Sequence, residues 1–444
     1  MQRYRADPGA IAALFQQNRV HRDAYVSDEI FQLERERLFA PAWVFAGHES
    51  QVPATGDYAT VEILGVPLVL VRKADGSVVV LANRCAHRGA MIFSDARGNT
   101  GRALRCPYHG WTYRLDGSLL GVPMRGGYDE KSLEACGTNG GLHRMNSTGH
   151  RGFVFVQLDS AGPSFQDYFG ASLSFIDMMA DRSPDGELEV AGECLRSRIR
   201  CNWKIYLENI NDGVHVHAAH ESAAIGARKA WSSKPADEPK PMAIEQLWPF
   251  QFNNEFMDAM GGRVLRNGHS VLGTRSSIHS GYGEIPGYAT AMNQAYGSEK
   301  AAAILSFSPQ NMVLYPSIAL KTSPQTMRVL RPLAPDSTIV ESWAFRPKGT
   351  PDILVERSMT YNRIAFSPMS LVAHDDIHVF ETVQHALSNG HEDWVSFHRG
   401  YKADEAPGDK AGDDVATNGT NEILMRNQYR AWVKYMTGAA ETRT

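Results

Sequence analysis

Two short segments carry side chains able to hold metal. The first is Cys85-x-His87, followed by Arg88-Gly89; after eighteen intervening residues comes Cys106-x-x-His109, followed by Gly110-Trp111. Each places one thiolate and one imidazole close together on a stretch suited to a tight loop. Two Cys and two His in two loops can hold one tetrahedral zinc ion, or a two-iron two-sulfur (2Fe–2S) cluster in which two His replace two Cys on one iron. Structural zinc sites more often pair C-x₂₋₄-C with H-x₃₋₅-H, and a single residue between Cys and His is cramped for one metal. In the cluster the Cys and His of a loop go to different irons, so the short spacing is expected. The iron–sulfur cluster is the better match.

A second group lies in WKIYLENINDGVHVHAAHESAA, where Asp212, His215 and His220 follow Glu208-Asn209. Residues five apart diverge by about 140° on a regular helix, so a helix through His215 and His220 must distort or end near one of them. His217, two residues from His215, falls on the far side and is left out of the ligand set. Two His and one carboxylate form the facial triad of non-haem Fe(II), with positions left open for dioxygen. Spacing alone does not supply the acid. Asp375 and Asp376, in HDDIHVFETVQHAL, are the candidates; an Asp pair is otherwise an ordinary helix cap.

The elements that must position these residues read as follows. SDEIFQLERERLF, residues 27–39, is a helix capped by Ser27. Tyr58–Ile63, Pro67–Arg72, Ser77–Ala82, Trp111–Arg114, Ser118–Leu120 and Phe153–Leu158 read as strands, several separated by Asp-Gly turns. They make a compact antiparallel domain over 40–160 with the metal loops at one end. Gly162 to Asp185 reads as helix and turn, and strand-like pieces resume over 187–202. Residues 232–241 read as an exposed loop, and Gly-rich turns fall near 261–268 and 281–287. Strands are expected at Asn311–Leu314, Thr326–Leu333 and Thr338–Pro347, and a helix at about 350–369. A polar loop, DEAPGDKAGDDVATNGTN, precedes a terminal helix with Met425, Tyr429, Trp432 and Met436 on one face and Arg426, Arg430 and Lys434 on another. Strands mixed with separated helices, without βαβ alternation, indicate an α+β fold.

Composition narrows the class. A chain of 444 residues, 43% hydrophobic and 21% charged, is ordinary for globular protein of two to three domains. A net charge of −4 with no basic run offers no field for nucleic acid. No apolar stretch is long enough to span a bilayer, and Asp7, Gln16 and Gln17 interrupt the N-terminal region where a signal peptide would be apolar. Five cysteines do not make a disulfide framework; Cys136, Cys194 and Cys201 read as small buried hydrophobes. The cytoplasm is the expected compartment.

Taken together, the motifs resemble the catalytic (alpha) subunit of a Rieske non-haem iron aromatic-ring-hydroxylating oxygenase, over nearly the whole chain. The C-x-H…C-x-x-H motif is met by Cys85, His87, Cys106 and His109. The N-W-K…E-N…D-x-x-H-x₄-H motif is met by Asn202-Trp203-Lys204, Glu208-Asn209, Asp212, His215 and His220. The late D-x₄-E-x-x-Q segment is met by Asp376, Glu381 and Gln384, which favours Asp376 over Asp375. Val214 departs from the pattern, since many relatives carry an aromatic residue there.

The resemblance implies a Rieske β-sandwich over 40–160, inserted in a larger catalytic domain of 1–39 and 161–444 whose curved antiparallel sheet wraps helices around the iron. It implies one 2Fe–2S cluster and one mononuclear Fe(II) per subunit, O₂ as co-substrate, and electrons from NADH through a reductase or ferredoxin. It also implies a homotrimer, alone or as α₃β₃ with a small beta subunit. There Asp212 would bridge His109 of the partner subunit and the iron ligand His215, with Asn209 beside it in the catalytic machinery. The product is expected to be a cis-dihydrodiol or a hydroxylated ring, and the substrate an aromatic acid. Ile210, Val216 and Leu314 are candidate pocket residues, and Arg200, Arg228 and Lys321 candidate cations for a substrate carboxylate. Competing readings are an electron carrier using only the cluster, and a zinc-dependent hydrolase.

Overall fold

The computed structural model describes residues 3–136, 139–235, 237–279, 285–367, 370–404 and 415–438. It divides into two compact units, Ala40–Phe165 and Met1–Phe39 with Gln166–Thr444. Helices and antiparallel sheets are mixed throughout, so the fold class is α+β.

The Ala40–Phe165 unit is built of short antiparallel sheets. Val78–Ala82, Val66–Arg72, Asp57–Ile63 and Arg97–Asn99 form a four-stranded sheet. Leu119–Gly121, Thr112–Arg114 and Ala103–Arg105 form one three-stranded sheet, and Asn146–His150, Phe153–Gln157 and Val44–His48 another. Val69, Val79, Leu104, Trp111 and Tyr113 pack into one core with Cys85 and Cys106. The unit runs past the expected residue 160 because the segment after Phe153–Gln157 folds back. Trp43 donates Nε1–H to the Pro163 carbonyl at 3.0 Å and meets the Phe165 ring edge-on.

The other unit is organised by a nine-stranded antiparallel sheet. Leu188–Val190 and Leu195–Ile199 both pair with Ser337–Pro347; Thr326–Ala334, Ile318–Lys321, Asn311–Leu314, Ser270–Leu272, Gly262–Val264 and Val415–Thr417 follow in that order. Helices Trp203–Ile210, Asp352–Phe366, Leu371–Ser388 and Ile423–Thr437 belong to the same unit. Several elements differ from expectation. Residues 261–268, expected as turn, include the strand Gly262–Val264. Ile318–Lys321 is a strand, and Tyr288–Tyr296 and Ser298–Ser306 are helices that local pattern did not reveal. Residues 281–284, 236, 368–369 and 405–414 of the expected turns, loops and helix lie outside the described residues. Of the three remaining cysteines only Cys201 is buried; Cys136 and Cys194 are half-buried.

The terminal helix is also more enclosed than an amphipathic pattern implies. Arg426, expected on its polar face, is fully buried, donating to the carbonyls of Phe397 at 2.6 Å and Arg399 at 3.2 Å and to Asn421 Oδ1 at 2.9 Å.

Among the contacts that join residues before Phe39 to the rest of this unit is a buried ionic knot. Ser27 caps the Asp28–Glu34 helix by accepting the Ile30 N–H, and that helix ends on Glu34. The Glu34 carboxylate accepts Lys204 Nζ at 2.5 Å, Trp203 Nε1 at 2.9 Å and Trp432 Nε1 at 2.7 Å. Three distant segments thus converge on one carboxylate. Glu34→Ala leaves a buried ammonium and two indole N–H groups without their acceptor, at a cost of about 3–5 kcal/mol. The unfolding midpoint of this unit, followed by circular dichroism, should fall by on the order of 10 °C; an unchanged midpoint would show that the knot contributes nothing net.

Candidate metal centres

The two loops of the Ala40–Phe165 unit share one construction. Cys85 donates its N–H to the Ala90 carbonyl and Cys106 donates to Trp111, each at 2.8 Å. Gly89 and Gly110 donate back to the Cys85 and Cys106 carbonyls at 3.0 and 3.1 Å. Both glycines take positive φ, 74° and 68°, where a side chain would be strained. The result is two five-residue loops that present Cys and His together. Cys85 and Cys106 are buried, and the His87 and His109 rings lie 4.8 Å apart. His87 stacks on Trp111 with ring centroids 4.8 Å apart and planes 3° from parallel.

Burial pushes the Cys85 thiol above its ordinary value and, with His109 nearby, pushes His87 below its own. Tyr113 Oη accepts the Ala86 N–H at 3.2 Å and lies within hydrogen-bond distance of Cys85 Sγ, at 3.0 Å. His87 Nδ1 is buried without a hydrogen-bond partner among the described residues, a condition native proteins rarely leave unanswered. Two sulfurs and two imidazoles around such a nitrogen fit a cluster with mixed Cys and His ligands.

In the larger unit, Asn202 caps the Trp203–Ile210 helix, its Oδ1 accepting the Lys204 N–H at 3.0 Å. The helix ends at Ile210. A second begins at His215, ends at Ala219, and His220 (φ −102°, ψ 18°) forms the joint with Glu221–Trp231. That break resolves the awkward five-residue spacing. The His215 and His220 rings meet edge-on, with centroids 5.5 Å apart and planes at 80°, while His217 is exposed.

The acid comes from the Leu371–Ser388 helix. Asp376 Oδ1 lies 3.3 Å from His220 Nε2 and 3.9 Å from His215 Nε2, and one ligand atom of each residue falls within 4.8 Å of the others. Asn209 donates Nδ2–H to Asp376 Oδ1 at 3.2 Å, so it positions that carboxylate. Asp375 faces the other side of the imidazole, its Oδ2 3.5 Å from His220 Nδ1. Burial holds His220 neutral against the opposing pull of Asp376, the state in which an imidazole can ligate. His215 Nδ1 is buried without a hydrogen-bond partner among the described residues. Two imidazoles and one carboxylate fit ferrous iron.

The rest of the motif holds the two helices in register. Gln384 Oε1 accepts the Asn202 N–H at 2.9 Å, and Glu381 binds Arg200 through its side chain at 2.7 Å and its N–H at 3.2 Å. Asn202 to Asn209 is about 10.5 Å of helix and Gln384 to Asp376 about 12 Å, so antiparallel helices pinned at one end align at the other. Glu208 points elsewhere: it accepts Tyr25 Oη at 2.9 Å and Tyr429 Oη at 2.5 Å, and burial raises its carboxyl to about 7. Asp212 lies in the break between helices, so helical spacing does not relate it to His215. Its Oδ1 accepts the Val214 N–H at 2.7 Å, and Arg399 lies 3.5 Å away.

Beside the triad opens a cleft whose free space, counted together with its open mouth, is about 540 Å³. Ile210 and Val216 line it. Leu314 does not: Asn311 lines the cleft from the same strand, and a residue three positions on points to the opposite face. Among the three cations named from sequence, Lys321 is on the cleft wall and buried, whereas Arg200 and Arg228 are exposed. Arg328, also on the wall, went unnoticed, although a cation inside the strand TMRVLRPLA was a signal.

Comparison with known proteins agrees with both centres. Residues 42–131 match the family described as Rieske [2Fe-2S] domain, and residues 182–438 match that described as ring hydroxylating alpha subunit (catalytic domain). The anthranilate 1,2-dioxygenase large subunit of Acinetobacter baylyi is 32% identical over 86% of this chain and 80% of its own. An N,N-dimethyl phenylurea N-demethylase subunit alpha from Sphingobium is 28% identical over 92% and 89%. In fold the chain is similar to the naphthalene 1,2-dioxygenase of a Rhodococcus species bound to indole, with TM-score 0.75, 23% identity and coverage of 99% and 98%. Among the described residues no helix is long and apolar enough to cross a membrane. With its cluster-binding domain, its catalytic domain and these relatives, the chain belongs to the Rieske ring-hydroxylating oxygenase alpha subunits.

Proposed function

We propose that the chain is the terminal oxygenase subunit of a system that takes electrons from NADH, through a reductase or ferredoxin, and uses O₂ to hydroxylate an aromatic ring. Cys85, His87, Cys106 and His109 hold the 2Fe–2S cluster; His215, His220 and Asp376 hold the mononuclear iron. When bound, the cluster supplies single electrons and the ferrous ion activates dioxygen. The chain's residues do the rest. Asn209 and Asp375 orient the Asp376 carboxylate and the His220 ring. Ile210 and Val216 offer the apolar wall against which a ring lies. Asp212 is assigned to bridge His109 of the partner subunit and His215, in a trimer with or without a beta subunit. The relatives carry the names "large subunit" and "subunit alpha", which supports an assembly of more than one chain type.

The observation that carries this reading is the convergence of His215, His220 and Asp376 beside a cleft walled in part by apolar side chains. An electron carrier has no use for that site, and the family membership leaves the zinc hydrolase without support. The test is turnover of the reconstituted holoprotein with reductase, NADH and ¹⁸O₂ over a panel of aromatic acids, hydrocarbons and N-methylated aryl ureas. Label in a ring hydroxyl or cis-dihydrodiol is expected. Formaldehyde from an N-methyl group as the sole product would instead assign demethylation, and a colourless zinc protein without sulfide would sink the reading altogether.

A further inference from the structure

Two buried cations share one wall of the cleft. The strands Ile318–Lys321 and Thr326–Ala334 pair antiparallel, with Lys321 opposite Thr326 and Ala319 opposite Arg328. Side chains two apart share a face, so Lys321 and Arg328 are diagonal neighbours on the same face, with backbones roughly 7–8 Å apart. Both line the cleft, and they are only 4% and 6% exposed. Cations are almost never so buried unless paired.

Here the pairing is incomplete. Lys321 Nζ donates to the Gln310 carbonyl at 2.7 Å, and Arg328 Nη2 donates to Asn311 Oδ1 at 2.9 Å; Arg328 also lies over the Phe366 ring at 4.5 Å. Among the described residues neither forms an ion pair with a carboxylate. Of the other buried cations of this unit, Lys204 is paired with Glu34 and Arg331 with Glu341 at 3.1 Å, whereas Arg426 is held by three neutral oxygens and Arg182, away from the cleft, donates to the Phe307 carbonyl. The neighbouring ionisable groups do not offset the charge. His279 is held neutral by burial, and Arg357 is occupied by Glu245 at 2.7 Å. Asp376, on the same cleft, already faces two imidazoles and Asn209.

We infer that Lys321 and Arg328 form a carboxylate-binding end of the cleft, and that the substrate is a monoanionic aromatic acid whose ring lies between this end and the His215–His220–Asp376 group. The inference rests on the ring-hydroxylating reading and adds the substrate class. Lys321 has two ammonium N–H bonds left after Gln310, and Arg328, with five guanidinium N–H bonds, retains donors after Asn311 and the Tyr206 hydroxyl, enough for both oxygens of one carboxylate. Burial pushes the Lys321 ammonium well below its ordinary range, with Arg328 adding to the effect; the negative charge of an entering carboxylate opposes that shift.

The test measures binding to the oxygen-free holoprotein by calorimetry, for three pairs that differ in the acid group: benzoate and toluene, 2-hydroxybenzoate and phenol, 2-aminobenzoate and aniline. At least one acid should bind more tightly than its neutral partner. In Lys321→Met that acid should weaken by about 30-fold or more, while the neutral partner changes by less than about threefold. Arg328→Met should act in the same direction, and Lys321→Arg should restore part of the loss. Unchanged cluster absorbance and circular dichroism exclude misfolding. The inference fails if no acid is preferred, or if acid and neutral partner weaken alike in both Met variants. Oxygenation of neutral rings alone would then leave the ring-hydroxylating reading standing; absence of any oxygenated product sinks that reading while the binding ratio still decides this one.

Discussion

Asp376→Ala protein should purify red-brown yet carry about two irons per chain instead of about three. Its cluster ligands belong to another unit of the chain, built by local hydrogen bonds that Asp376 does not touch. What it loses is the carboxylate 3.3 and 3.9 Å from the two imidazoles. Partners outside the ligand set already cost about 10–100-fold in metal affinity or activity when removed, so loss of a ligand should cost more than about 100-fold in turnover. Asp375→Ala is the control: it removes only the group beside His220 Nδ1, and should stay within that 10–100-fold band. Metal analysis with acid-labile sulfide, beside oxygen uptake, reads the outcome. Full iron content in Asp376→Ala would remove this residue from the ligand set.

The second large effect is at Asp212, where two roles separate by choice of substitution. Within the chain its carboxylate secures the turn by accepting the Val214 N–H at 2.7 Å. An Asn oxygen can make that bond; an Ala cannot. Asp212→Asn should therefore hold its unfolding midpoint, whereas Asp212→Ala should lose about 1 kcal/mol. Both variants should keep both metals, and both should lose on the order of 100-fold in turnover, because the assigned bridge needs the charge. The specific readout is the rate at which chemically reduced cluster reoxidises in a single turnover with substrate and O₂. Wild-type reoxidation in Asp212→Asn would leave the residue a turn-capping acid only.

Much of the chemistry was legible because it is local. Each cluster loop closes over five residues, with Gly89 and Gly110 where φ must be positive, so types and spacing in a short window specify its shape. The same holds for Ser27 as a cap, for hairpins turning at Asp-Gly, and for the need of a helix break between His215 and His220. Asp376 was legible only through the family motif, since Asp375 next to it has the same chemistry and a helical rotation of about 100° separates their faces.

Pairing across long separations decided the remainder. Leu314 left the cleft and Lys321 entered it because strand register sets which parity faces the cavity, and register depends on partner strands. Arg200, Arg228 and Lys321 are equivalent as sequence; burial alone distinguishes them. Arg426 sits in a helix whose charge pattern reads as solvent-facing, yet carbonyls from Phe397 and Arg399 meet it there. Glu34 and Lys204, 170 residues apart, come within 2.5 Å only in the folded chain. A motif records what a few neighbouring residues can bind. Which face they show, and what lies across from them, is set by desolvation and packing among segments that only the folded chain brings together.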